Sequence, residues 1–234
     1  MQIFYTPGIN NGVHYLDESE SRHCIKVLRM KKGDLVTMVD GKGNMYEGII
    51  SDPDQRKCEI RVTKIINNYG KRNYRLHIAI SPLKNQDRFE WFIEKSVEAG
   101  IDEITPLYCK NTEKQGIKTD RIKKIIISAM KQSLKAVCPE LHKPAEFSDF
   151  IRNCSGGIKM IAHCSNETVR NNIMSVYRKG EDAVILIGPE GDFTDEETGM
   201  ALAGGFIPVH LGSSRFRTET AGVAACMAVY FINQ

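Results

Sequence analysis

Two loop segments carry the residues best suited to chemistry. In the first, Val184-Ile185-Leu186-Ile187 runs into Gly188-Pro189-Glu190-Gly191-Asp192-Phe193. Four branched apolar residues closed by Gly-Pro read as a short strand buried on both faces. The glycines bracket a tight loop where backbone can approach a ligand closely. Thr194 then reads as a helix N-cap, with Glu197 completing a capping box. Strand, glycine loop, helix start is the layout in which open α/β sheets hold small ligands. In the second segment, the strand Phe206–Leu211 ends in Gly212 and leads through Ser213-Ser214-Arg215-Phe216-Arg217-Thr218-Glu219-Thr220 to Ala221. Thr218 is the natural N-cap of the helix that follows. Arg215 and Arg217 just before a helix N-terminus oppose its macrodipole. They therefore point to an anion or a carboxylate, either Glu219 or a ligand. The two exits, close together in sequence, predict a single pocket.

Several chemistries are excluded. The first loop lacks a Lys-Ser/Thr pair and the three-glycine dinucleotide spacing, so it is neither a P-loop nor a dinucleotide fingerprint. No Ser-His-Asp order, metal-ligand cluster or separated carboxylate pair occurs at useful spacing, which disfavours a hydrolase. His163 and Cys164 at a strand end read first as packing residues, and Cys226 and Met227 as core or interface.

Residues 1–70 read as β-rich. Strands are expected at 34–40, 46–50 and 58–65, with a hairpin turn at Asp40-Gly41-Lys42-Gly43-Asn44 and a turn at 52–54. A short helix between Asp17 and Met30 carries Arg22, His23, Lys26 and Arg29. Short strands with turn signals predict a small barrel. The polar segment 67–73 reads as a linker. From Tyr74 strands and helices alternate: a strand at 75–80, a helix at 86–99 capped by Gly100, and a strand at 102–109. A basic helix follows from Thr119 or Asp120 to Val137, then a strand at 158–163 and a helix over roughly 167–178. The two loop-bearing strands close the series, each with its helix. Such alternation predicts a mostly parallel sheet covered on both faces.

The net charge of +3 is too small to require a nucleic-acid partner, but its distribution is uneven. Residues 110–143 hold nine Lys/Arg against three Asp/Glu, whereas 181–234 hold two against eight. One positive face beside an acidic one is expected. Seven cysteines without two-residue spacing argue against a zinc site or a disulfide framework and fit a reducing cytosol. No basic-then-apolar leader follows Met1, and the longest apolar run, from Val223 to Ile232, is too short to span a bilayer. A cytoplasmic protein is expected. The residues alone reach an α/β ligand-binding domain joined to a small basic β-domain.

Ile187-Gly188-Pro189-Glu190-Gly191, Leu211-Gly212 and Arg217-Thr218-Glu219-Thr220-Ala221 resemble, in that order, the motifs of the RsmE-type family. Its members are methyltransferases of small-subunit (16S) ribosomal RNA that modify uridine N3, within the SPOUT superfamily. The resemblance spans essentially the whole chain. His23 with Val27-Leu28-Arg29, Gly33-Asp34 and Asp40-Gly41-Lys42-Gly43 resembles the family's PUA-like barrel. Arg88, Lys95, Glu98 and Gly100 with Ile104-Thr105-Pro106 resemble its first helix and second strand, and Gln132-Ser133 with Pro139 its basic helix. The implied fold is α/β: a PUA-like β-barrel at 1–70, then a SPOUT domain at 74–234 with a carboxyl-terminal trefoil knot. The implied cofactor is S-adenosylmethionine, held at His163, Cys164, Ile187, Gly188, Pro189, Glu190, Gly191, Leu211, Gly212, Thr218, Thr220 and Ala221. Arg217 and Glu219 are the implied catalytic residues, Arg217 acting on a uracil oxygen or a phosphate and Glu219 as positioning group or base. Implied RNA contacts are Arg22, His23, Lys26, Arg29, Arg88, Arg121, Lys131 and Lys135, and a homodimer through the terminal helix is implied, with no metal. Four positions depart: Asp192 stands where a second glycine is usual, Arg215-Phe216 where Ile-Leu is frequent, and Lys135 where Arg is common. The alternative function is a non-catalytic RNA binder of the same fold.

Overall fold

The computed structural model describes residues 2–9, 11–164 and 169–234. They form two compact units, Met1–Lys71 with Ile127–Cys138, and Arg72–Ile126 with Pro139–Gln234.

In the first unit, β1 (Ile3–Tyr5) and β2 (Val13–Tyr15) precede the short helix α1 (Glu18–Arg22), which continues as a π-helical turn over His23–Val27. Asp17 caps α1 by accepting from the Glu20 backbone N–H. Then come β3 (Leu35–Val39), β4 (Met45–Asp52) and β5 (Glu59–Ile66). The five strands form one sheet in the order β1-β3-β4-β5-β2. Its core holds Phe4, Met38, Ile50 and Ile60 from inward-facing strand positions, with Leu16 after β2 and Cys24 from the π-helical turn. β1 and β2, only three residues each, have too little pattern to be read from sequence.

The second unit runs β6 (Leu76–Ile80), α2 (Gln86–Ala99), β7 (Glu103–Tyr108), α3 (Thr119–Gln132, the last turns belonging to the first unit), β8 (Glu140–Leu141), β9 (Ala145–Glu146) and α4 (Phe147–Asn153). It continues with β10 (Ile158–Ala162), β11 (Asn171–Asn172), α5 (Ile173–Val176), β12 (Ala183–Ile187), α6 (Asp195–Ala203), β13 (Ile207–His210) and α7 (Thr218–Ile232). The sheet is parallel throughout, in the order β11-β13-β10-β12-β6-β7-β8. Every residue of β12, at its centre, is buried. One face packs on Phe147, Ile151, Phe193, Ala201 and Phe206 from α4, α6 and their flanking loops. α7 packs on α2, β6 and β12.

Three expected helix boundaries are corrected. α3 ends at Gln132 and not near Val137. Leu134 takes a left-handed φ of 57°, and its N–H bonds to the Lys131 carbonyl while that of Lys135 reaches Met130. This is the paired closure that glycine usually provides, and at the end of α2 Gly100 provides it in the same way. The expected helix over 167–178 reduces to α5, with residues 167–168 outside the described set. Thr218 is the first helical residue of α7 rather than its N-cap, a place taken by Arg217 without a side-chain cap. Among the described residues no helix is long and apolar enough to cross a membrane.

The close approach of α7 to α2 requires glycine at Gly222. A Cβ there would sit 2.6 Å from the Phe92 ring and 3.0 Å from Ile80 Cδ1, and Phe92 is fully buried. Gly199, in α6, has open space instead. Gly222→Ala should therefore lower stability by about 1 kcal/mol, overpacking outweighing the helix-propensity gain. Gly199→Ala should raise it by up to about 1 kcal/mol. Denaturant melts of the two variants check this.

Candidate active site

Parallel strands deliver their loops to a common end, and here β10, β12 and β13 do so side by side. The loop after β12 turns through Gly188-Pro189-Glu190-Gly191 to Asp192, which adopts φ 63°. Asp192 thus holds the left-handed conformation for which glycine is the usual residue, and its side chain compensates. Its Oδ2 accepts from the Cys164 backbone N–H at 2.7 Å and its Oδ1 from that of Phe193 at 2.9 Å. The loop after β10 is thereby tied to the loop after β12. Asn111 adds a second tie, its Nδ2 donating to the Asp192 carbonyl at 3.1 Å. The capping box at Thr194 and Glu197 is formed as the sequence indicates.

These loops and the start of α7 surround a cleft of about 560 Å³. Ile187, Gly188, Pro189, Glu190, Cys164, Arg217, Thr218 and Ala221 line it, with Arg88, Asp192, Arg215 and Phe216. A hollow of about 60 Å³ adjoins, bordered by His163, Leu211, Gly212 and Val209, and shares Cys164, Phe216 and Ala221 with the cleft. Of the residues expected to hold the cofactor, Gly191 and Thr220 border neither space.

Two features of the site escape sequence reading. The first is His163, only 4 % exposed, whose ring nitrogens have no hydrogen-bond partner among the described residues. Burial pushes its pKa below the ordinary imidazole value, with Asp192 pulling the other way, so the ring is neutral at pH 7. A buried polar ring without partners is costly unless a ligand supplies them. The second is Arg88 on α2, which forks onto Glu219 with Nε–Oε1 at 2.7 Å and Nη2–Oε2 at 2.5 Å. Its Nη1 also lies 3.8 Å from Glu190. One cation so joins α2, the first turn of α7 and the β12 loop. Burial alone would raise the Glu219 pKa, but the hydrogen bonds from Arg88 and the charges of Arg88 and Arg217 outweigh it and hold the carboxyl below the usual range. Arg217 itself is exposed at the rim.

Comparison with known proteins agrees with this layout. The family described as "RNA methyltransferase domain" matches residues 70–230, and "RNA methyltransferase PUA domain" matches residues 16–63. Ribosomal RNA small subunit methyltransferase E of Mesomycoplasma hyopneumoniae is 30 % identical over 205 residues, covering 85 % of this chain and 86 % of that protein. The chain belongs to the ribosomal RNA small subunit methyltransferase E family. A "probable rRNA-methyltransferase" of Porphyromonas gingivalis superposes with a TM-score of 0.94 at 37 % identity, covering 100 % of this chain and 98 % of that one. The methyltransferase E of Neisseria gonorrhoeae, solved bound to S-adenosyl methionine, gives 0.89 at 26 % identity, with the same coverage.

Within this methyltransferase fold the expected RNA-contacting residues fall into two groups. In the first unit Arg22 on α1, Lys26 on the π-helical turn and Arg29 just past it are exposed, and His23 is half-buried, within 3.2 Å of Gln2 Nε2. Arg22 pairs with Glu18 and Lys131 with Glu20, and Lys135 is half-buried. In the second unit Arg121 is exposed and bonds to Glu90, while Arg88 is committed to Glu219 and Glu190 inside the cleft.

Glu219 is 7 % exposed, so removing its partner strands a charge. Arg88→Ala should cost about 2 kcal/mol at neutral pH. Arg88→Lys should restore only part of that, lacking the fork. A carboxyl held low stabilises the fold above its unfolded pKa of about 4.3 and loses that contribution as pH falls through the folded value. The gap between wild type and Arg88→Ala should close in acid, which melts between pH 3 and 7 would record.

Proposed function

We propose that this protein methylates N3 of a uridine in 16S ribosomal RNA, using S-adenosylmethionine. The observation that carries the reading is His163, a buried ring whose nitrogens have no partner among the described residues, beside glycine-bearing loops, in a methyltransferase E chain. A heterocycle with donors and acceptors would supply the partners that those nitrogens lack. A purely RNA-binding protein would gain nothing from keeping those nitrogens unsatisfied.

When bound, S-adenosylmethionine supplies an electrophilic methyl group on a positively charged sulfur. The chain's own residues do the rest. His163 and the backbone of Ile187–Glu190 and Leu211–Gly212 would hold the cofactor by hydrogen bonds, while Ala221 and Thr218 line the cleft. Arg217, exposed at the rim, contacts a uracil oxygen and stabilises the negative charge left when N3 loses its proton. Glu219 is a weak proton acceptor because Arg88 holds its pKa down. It therefore acts as a positioning residue, and the N3 proton passes to water at the open rim. Arg22, Lys26 and Arg29 serve phosphate contacts, which position RNA without reading its sequence.

Three further features belong to the proposal. A homodimer forms through α7, supported by Phe231, 64 % exposed on an otherwise apolar helix. The trefoil knot is supported by the sheet order, in which β13 lies outside β10 while α7 returns to β6 and β12. A cytoplasmic location follows from the substrate.

S-adenosylmethionine should bind the purified chain with a calorimetric signal that NAD and ATP do not give. Arg217→Ala should lower methyl transfer to small-subunit RNA about 100-fold or more, with cofactor affinity and circular dichroism unchanged. Wild-type turnover in that variant would remove Arg217 from the chemistry, and no cofactor signal from a folded protein would overturn the proposal.

A further inference from the structure

The amino ends of β6, β7 and β8, at the opposite end of the strands from the cleft, carry a second cluster. The parallel register sets His77 beside Glu103 and Glu103 beside Glu140. His142, two residues past Glu140, is held in line by its backbone N–H to the Ile104 carbonyl at 2.9 Å. Three ligand-type atoms, one each from His77, Glu103 and His142, lie within 4.8 Å of one another. No metal-ligating cluster is legible in the sequence, because these residues lie far apart in the chain. Only the side-by-side strands bring them together.

We infer that His77, Glu103 and His142 form a binding site for a divalent transition-metal ion of the zinc type. A tetrahedral ion with bonds of about 2.0 Å keeps its ligand atoms about 3.3 Å apart. Here Glu103 Oε2 is 2.8 Å from His142 Nε2 and 3.8 Å from His77 Nδ1, which brackets that spacing. Two imidazoles and one carboxylate suit zinc better than calcium or magnesium, which prefer all-oxygen shells.

Each ligand also has the outer partner that metal sites use to fix orientation. His77 Nε2 lies 2.8 Å from the Thr105 hydroxyl, which leaves Nδ1 for the ion. His142 Nδ1 faces Glu140 Oε1 at 3.5 Å, the carboxylate–histidine arrangement behind many zinc ligands. Arg75 holds Glu103 Oε1 at 2.8 Å and leaves Oε2 turned to the histidines. All three side chains border a cavity of about 350 Å³ that shares no residue with the cleft. Three protein ligands leave a fourth position for water on that cavity. The ion crosslinks three strands at the sheet's edge.

The test uses the full chain, stripped with a chelator, loaded with Zn²⁺ and freed of excess by gel filtration. Elemental analysis should find one zinc per chain. His142→Asn and His77→Asn should each weaken binding more than 10-fold. Glu140→Gln, outside the ligand set, should weaken it about 10-fold or more. Cys164→Ser should leave it unchanged, which separates this site from the exposed thiol. Co²⁺ in the wild-type chain should show visible d–d absorption without thiolate charge-transfer bands, a readout that needs no variant to fold. Zinc held as tightly by His142→Asn as by wild type, a thiolate signature with Co²⁺, or no retained zinc would each overturn the site. None of these readings depends on methyl transfer.

Discussion

Burial of β12 on both faces, between β10 and β6, decides where the functional loops of the second unit can emerge. A strand with no exposed residue cannot shift register without exposing apolar surface and breaking ladders on both sides. Its carboxyl end is fixed, and with it the height at which Gly188 leaves the sheet. β10 and β13 inherit the same level through their own ladders. Three loops therefore open at one rim. Asp192 locks two of them together, Asn111 ties the β12 loop to the segment after β7, and Arg88 locks the β12 loop and the first turn of α7 to α2. These ties hold the cleft to its sheet, which lets short backbone segments serve as hydrogen-bonding surface.

The charges in the cleft obey a division of labour. Glu219 in the first turn of α7 suits the helix dipole, while Arg217 at the N-cap opposes it. The fork from Arg88 satisfies the carboxylate and leaves Arg217 facing outward at the rim. Two arginines lining one cleft thus differ in setting, Arg88 committed to Glu219 and Glu190 and Arg217 exposed at the rim.

Much of this was legible in the sequence, and what was not has identifiable causes. The central strands show as apolar runs, and Thr194 and Glu197 mark a helix start by side-chain chemistry and Gly100 a helix end by its left-handed backbone. The end of α3 was hidden because Leu134 adopts a conformation that glycine normally signals. α4 and α5 are too short for a helical period to register. Thr218 looked like a cap because capping residue types also suit a first helical position. The Arg88–Glu219 fork spans most of the second unit in sequence, and His163 looked like packing because its missing partners are visible only in three dimensions. The family motifs marked the loops without indicating how they are tied together.

The measurement closest to the central claim is the position of the transferred methyl group. Small-subunit RNA incubated with the protein and isotopically labelled S-adenosylmethionine, then digested to nucleosides and resolved by mass spectrometry, reports it directly. The account predicts label in a single species, N3-methyluridine, at one site. Label on a ribose, on another base or on uracil C5, or none with a folded and cofactor-bound protein, would contradict it.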